Sequence, residues 1–138
     1  GVVGTYRLQT INDQIPPILT GAWQGCREQI VSAGLALYPD RRYTLSGTAR
    51  QDCTGAPPIE NRGGGTRGRY AVEGDIVRFD AESERLEGVA GPGWIENPPD
   101  RRLTIEDLGG GGIGMLAGDT LTIRLENGGI ATFRKVQD

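Results

Sequence analysis

The stretch Tyr70-Ala-Val-Glu-Gly-Asp-Ile-Val-Arg-Phe79 alternates apolar and polar residues, turns at Glu73-Gly74, and alternates again. The pattern returns at Met115-Leu-Ala-Gly-Asp-Thr-Leu-Thr-Ile123, and Asn127-Gly128-Gly129 then reverses the chain into Ile130-Ala-Thr-Phe-Arg-Lys-Val136. A run of period two is a strand with one dry and one wet face, and a Gly-containing turn between two such runs makes a hairpin. Hairpins in series form an antiparallel up-and-down meander, which removes its own edges by closing into a barrel. The predicted fold class is all-β: an antiparallel meander closing into an eight- or nine-stranded barrel, one domain covering residues 1–138.

Working outward, the alternation predicts strands at 4–11, 27–38, 42–51, 66–72, 75–80, 102–108, 113–117, 120–125 and 130–136, with a short piece at 86–89. Pro16-Pro17 forbids regular pairing, so 14–25 reads as a connector. Segment 54–65, with Pro57-Pro58 and three consecutive glycines, and segment 82–100, with Gly91-Pro-Gly-Trp-Ile95 and Pro98-Pro99, read as loops. The nearest approach to a helix is Asp80-Ala-Glu-Ser-Glu-Arg-Leu-Glu87, enough for a turn or two. Parity then assigns faces. Leu35, Leu37, Tyr43, Leu45, Gly68, Tyr70, Val77, Phe79, Leu121, Ile123, Leu125, Ala131 and Phe133 point inward, while Arg69, Arg78 and Arg124 point outward.

Cys26 and Cys53 are the two cysteines. Folding the chain about Tyr38-Pro-Asp-Arg-Arg-Tyr43 pairs Leu37 with Tyr43 and Leu35 with Leu45. The same register brings Cys26 opposite a residue within one position of Cys53. Adjacent strands offer the roughly 5.5 Å Cα separation that a disulfide needs. A Cys26–Cys53 bridge is therefore predicted, and with it an oxidising compartment, secreted or periplasmic. No signal peptide is visible at Gly1-Val-Val-Gly4.

Fifteen basic residues against 18 acidic give a net charge of −3, which lacks the basic footprint of a nucleic-acid binder. No apolar run approaches the roughly 20 residues of a membrane span. With 23 glycines among 138 residues, turns dominate over helix.

In these motifs the chain resembles a lipocalin-like domain of the calycin type, as found in bacterial secreted proteins. The likeness rests on Gly4-Thr-Tyr6 in the first strand, Arg134 in the last, and three interior stretches. These are Leu35-Ala-Leu-Tyr-Pro-Asp-Arg-Arg-Tyr-Thr-Leu45, Arg67-Gly-Arg-Tyr-Ala-Val-Glu-Gly-Asp75 and Gly118-Asp-Thr-Leu-Thr-Ile123. Lipocalins open with Gly-x-Trp and pack an arginine of the final strand over that ring. The resemblance implies that Tyr6 replaces the tryptophan and that Arg134 closes the barrel over it, a cation–π contact. It also implies an interior that binds small apolar molecules.

The chain has no histidine, which removes the usual general base and the commonest metal ligand. Bridged cysteines leave no thiolate nucleophile. Glu106-Asp107 fall on opposite sides of a strand and form no acid–base pair, and Glu82, Glu84 and Glu87 lack the spacing of a calcium loop. Gly109–Gly112 is not followed by Gly-Lys-Ser/Thr and a helix, so it reads as a turn or bulge. No catalytic residue, metal site or cofactor is expected. Trp23 and Trp94, both in connectors, either cover the ends of the core or form a rim, Trp94 being the stronger candidate for a pocket mouth.

The leading expectation is a barrel of the cell exterior that encloses a small apolar or aromatic molecule. Tyr43, Tyr70, Phe79 and Phe133 would line its cavity, with Trp94 at the mouth. Two alternatives stand beside it: a structural or protein-interaction module with a filled barrel, and a cyclase or isomerase that acts by positioning its ligand.

Overall fold

The computed structural model describes residues 1–82, 86–109 and 112–137. In chain order its strands are β1 (Gly4–Ile11), β2 (Ile18–Trp23), β3 (Cys26–Leu37), β4 (Arg42–Cys53), β5 (Ile59–Glu73), β6 (Ile76–Ala81), β7 (Val89–Ala90), β8 (Ile113–Ala117), β9 (Thr120–Arg124) and β10 (Ile130–Gln137). Among the described residues, one 3-10 turn spans Glu106–Gly109. Eight strands form a closed antiparallel ring in the order β1-β10-β9-β8-β6-β5-β4-β3, with β3 returning to β1. The all-β barrel expected from the hairpins is thus present, and β2 and β7 are additional to the ring.

Parity built the ring as predicted. In β9, Leu121 and Ile123 are buried while Thr120 and Arg124 are exposed. The dry faces meet in one cluster that includes Tyr6, Leu35, Leu37, Tyr43, Leu45, Tyr70, Val77, Leu121, Ile123 and Phe133. Burial of apolar area is the main force holding such a core.

The ring is not uniform along its axis. The Gly34–Leu37 end of β3 pairs with β1, but the Cys26–Ile30 end pairs with β2. On the far side, the Gly68–Glu73 end of β5 pairs with β6, while Asn61 and Arg62 pair with β7. Strands β2, β3, β4, β5 and β7 therefore run beyond the ring as a half-cylinder. Residues 91–109 cross its concave face as a strap, held at Gly91 by Glu60 O and at Arg102 by Thr20 O.

Four expectations need correction. The connector 14–25 contains a true strand, β2, and Trp23 closes its hairpin opposite Cys26 instead of lying in a loop. The glycine-rich segment 54–65 is largely strand, because β5 begins at Ile59. Glycine there permits close approach: a Cβ at Gly65 would lie 1.8 Å from Leu45 O. Segment 102–108 is no strand. Its alternation is real, for Leu103, Ile105 and Leu108 are buried, but its hydrogen bonds close a local turn. Thr104 N–H donates to the Asp107 carboxylate, and Leu108 N–H to Ile105 O. The helical turn expected at 80–87 falls partly on residues 83–85, outside the described residues; Asp80 and Ala81 belong to β6. Glu84 of the acidic trio, and residues 110 and 111 of the glycine run, also lie outside them.

Candidate functional site: the mouth of the barrel

Four polar side chains converge where the half-cylinder meets the strap. Glu28 on β3, Gln51 on β4 and Thr20 on β2 occupy inward positions of their strands and are 2–3% exposed. Burying a carboxylate is unfavourable unless every lone pair finds a donor. Here each does. Arg101 of the strap reaches both oxygens of Glu28, from Nε to Oε2 at 2.8 Å and from Nη2 to Oε1 at 2.6 Å. Gln51 Nε2 donates to Oε1 at 3.0 Å and Thr20 Oγ1 to Oε2 at 3.2 Å. Gln51 also binds the strap backbone twice, accepting from Ile95 N–H at 3.0 Å and donating to Ile95 O at 2.8 Å. The strap is thus clasped by side chains from β3 and β4.

Burial alone would push the Glu28 carboxyl up. The hydrogen bonds from Arg101, Gln51 and Thr20, with the Arg101 charge, outweigh it and hold the group below its ordinary value. Glu28 is accordingly an ionised anchor, unsuited to proton transfer near neutrality.

Beside the clasp lies a cleft of about 100 Å3, lined in part by Glu28, Asn61, Trp94, Glu96 and Arg101. It is smaller than the roughly 300–1,000 Å3 of drug-sized ligand sites. Trp94, expected at a pocket mouth, is on the rim of this cleft.

The other expected lining residues do not open onto it; Tyr43 borders a separate surface cleft of about 330 Å3 with Tyr38, Arg42, Arg67 and Glu82, and Phe79 is partly buried. Tyr43 and Phe79 meet edge to face with ring centroids 5.0 Å apart. Tyr70 donates its hydroxyl to Tyr38 O at 2.6 Å, with Arg41 over its ring. Tyr6, Val77, Leu108, Leu121 and Phe133 have 0% exposure. A side chain beside a chamber wide enough for water keeps accessible surface, and these keep none. The strap supplies much of the filling: Ile105 takes the room left at Gly47, where an added Cβ would sit 2.9 Å from Ile105 Cδ1.

At the opposite end Tyr6 is buried, as the resemblance implies, and donates to Val2 O at 2.6 Å. The cation over its ring is Lys135, 5.7 Å from the centroid; Arg134, expected in that role, is exposed on the outer face. Phe133 points inward, so parity sends Arg134 outward and returns Lys135 to Tyr6, its register partner. Cys26 and Cys53 are bridged, with Cα atoms 4.0 Å apart. A bulge between Ile30 and Ser32 takes up the one-position offset in the predicted register.

Sequence reasoning missed Glu28, Gln51, Thr20 and Arg101. The signal available was parity, since Glu28 shares its side of β3 with Ile30.

The structure defines a closed eight-stranded antiparallel barrel of calycin-like shape. No protein-family model matches the chain, and no curated protein or solved structure matches it significantly. Among the described residues, no helix is long and apolar enough to cross a membrane, and no cluster of acidic residues or cysteines is arranged to hold a metal ion.

Proposed function

We propose that this chain is a disulfide-stapled interaction module of an oxidising compartment, a barrel with a filled interior that acts through its surface. The observation that supports the reading is the loss of all accessible area at Val77, Leu108, Leu121 and Phe133, in the place where a ligand-binding barrel keeps its chamber. Tyr43, Tyr70 and Phe133 then serve as core, with Phe79 packed partly buried against it. The strap reinforces this, because Leu103, Ile105 and Leu108 fill the axis from above and the clasp holds them there. The Cys26–Cys53 bridge supports a secreted or periplasmic setting, since such bonds persist where thiols are not kept reduced.

Intrinsic tryptophan fluorescence titrated with apolar probes tests the reading, because Trp94 lines the cleft at the mouth. The expected result is no saturable change with fatty acids, retinoids or small aromatics. A saturable response abolished by Tyr43→Ala or Phe79→Ala would instead restore the enclosed-ligand reading.

A further inference from the structure

We propose that the outer face of β1, β10, β9 and β8 docks an acidic, aliphatic segment of a partner protein. The inference rests on the reading that the barrel acts through its surface. Strand register fixes what the face presents. Arg7 stands directly opposite Arg134. Two residues further along β10, Thr132 faces Thr122, which faces Met115 of β8. Two residues beyond that, Ile130 faces Arg124, and Ile113 of β8 faces Arg78. None of these outward positions carries a carboxylate.

The charged residues among these outward positions are all arginines. Arg42, Arg50, Arg62, Arg67, Arg78 and Arg101 each have an acidic partner. Arg7, Arg124 and Arg134 are exposed and have none among the described residues; Arg27, Arg41, Arg69 and Arg102, exposed elsewhere on the barrel, likewise lack an acidic partner among the described residues. Like charges opposite one another on a ladder are destabilising, so the Arg7–Arg134 pair is one that a bound anion relieves. Between the arginines, Ile113, Met115 and Ile130 are 46%, 56% and 43% exposed. Guanidinium groups suit planar carboxylates, and the aliphatic residues call for apolar side chains between those carboxylates.

Spacing narrows the partner further. Arg134 and the Ile130–Arg124 level lie four residues apart along β10, about 13 Å of extended chain. An extended segment with acidic residues four positions apart and aliphatic residues between them spans this distance. A dense polyanion fits less well, because the chain as a whole carries −3 and repels it at long range.

The test is fluorescence anisotropy with a labelled peptide of the repeat Glu-Thr-Val-Thr, whose Glu side chains recur every four positions with Val between them on the same face, at about 50 mM salt so that surface charge is not screened out. The expected result is saturable binding, at least tenfold weaker in the double variant Arg124→Glu/Arg134→Glu and several-fold weaker in Ile113→Ser, with unchanged thermal midpoints. A Lys/Val peptide should not bind. Absence of saturable binding, indifference to the double variant, or tighter binding to phosphatidylglycerol vesicles or polyglutamate overturns the proposal. If the peptide fails while apolar probes stay silent, the filled interior stands and only this face is lost. A saturable apolar-probe response removes the reading beneath it.

Discussion

Arg101 grips Glu28 across 73 residues of chain with two hydrogen bonds, while the carboxylate side chain is only 3% exposed and the guanidinium 19%. The pair joins an irregular strap to the second strand of the ring. Removing one member leaves the other charged, desolvated and alone, which costs about 3–5 kcal/mol for buried pairs. Glu28→Ala and Arg101→Ala should each destabilise by about 3 kcal/mol in urea denaturation. Their double variant should cost far less than the sum, since both remove one interaction. Two small, additive losses would show that the apolar residues alone hold the strap.

The same carboxylate gives a pH signature. Its folded pKa lies below the unfolded value of about 4.3. The native state therefore binds fewer protons than the unfolded chain in that region, and the contribution is present above the unfolded pKa and lost as pH falls through the folded one. Glu28→Gln should be less stable than wild type at pH 7, with the gap closing below about pH 4. Stability curves that stay parallel down to pH 2.5 would contradict the assignment.

Tyr43 gives the opposite signature at alkaline pH. Burial, then the nearby charges of Asp80 and Glu82, push its hydroxyl up, against a hydrogen bond with Thr66. The folded protein then holds a proton that the unfolded chain releases near pH 10. Stability from this group is complete below that pH and declines above it. Tyr43→Phe should show a shallower alkaline decline in thermal midpoint between pH 9 and 11.5.

Leu108 fills the axis and is wholly buried. Leu108→Ala should cost about 2–5 kcal/mol and leave a dry apolar void. Such voids take up small apolar molecules, so benzene should raise the melting temperature of the variant and leave wild type unmoved. A benzene response in wild type would reveal an interior chamber already present.

Cys26 and Cys53 close a loop of 27 residues. Constraining the unfolded chain over that length is worth about 3 kcal/mol. The double Cys→Ser variant should lose about that much in denaturant titration while keeping its far-ultraviolet circular dichroism. Loss of the barrel spectrum would mean that the bridge is required for the fold itself.

Much of this was legible before any coordinates. Alternation about Glu73-Gly74 and Asn127-Gly128 placed four ring strands, and one hairpin register located the bridge. What escaped has a common cause. Period-two reasoning detects strands with one dry face, and β2 is broken by a bulge at Thr20 and preceded by two prolines. Gly65 read as part of a loop because its use, tight approach to Leu45 and Ser46, depends on a partner strand. Leu103 and Ile105 alternate like strand residues because they too lie on a core, yet no free ladder adjoins them. The clasp was the least readable element: nothing local connects an arginine in a proline-rich loop with a glutamate 73 positions earlier. Arg134 and Lys135 differ by one step of parity, and Phe133 decides between them.

The bridge sits on the overhang, not on the ring. A hoop distributes load through neighbours on either hand, whereas the projecting ends of β3, β4 and β5 are bordered only by the short β2 on one side and the two-residue β7 on the other. Under reducing conditions, wear should begin there: a protease would trim the projecting rim first and leave the hoop intact beneath it.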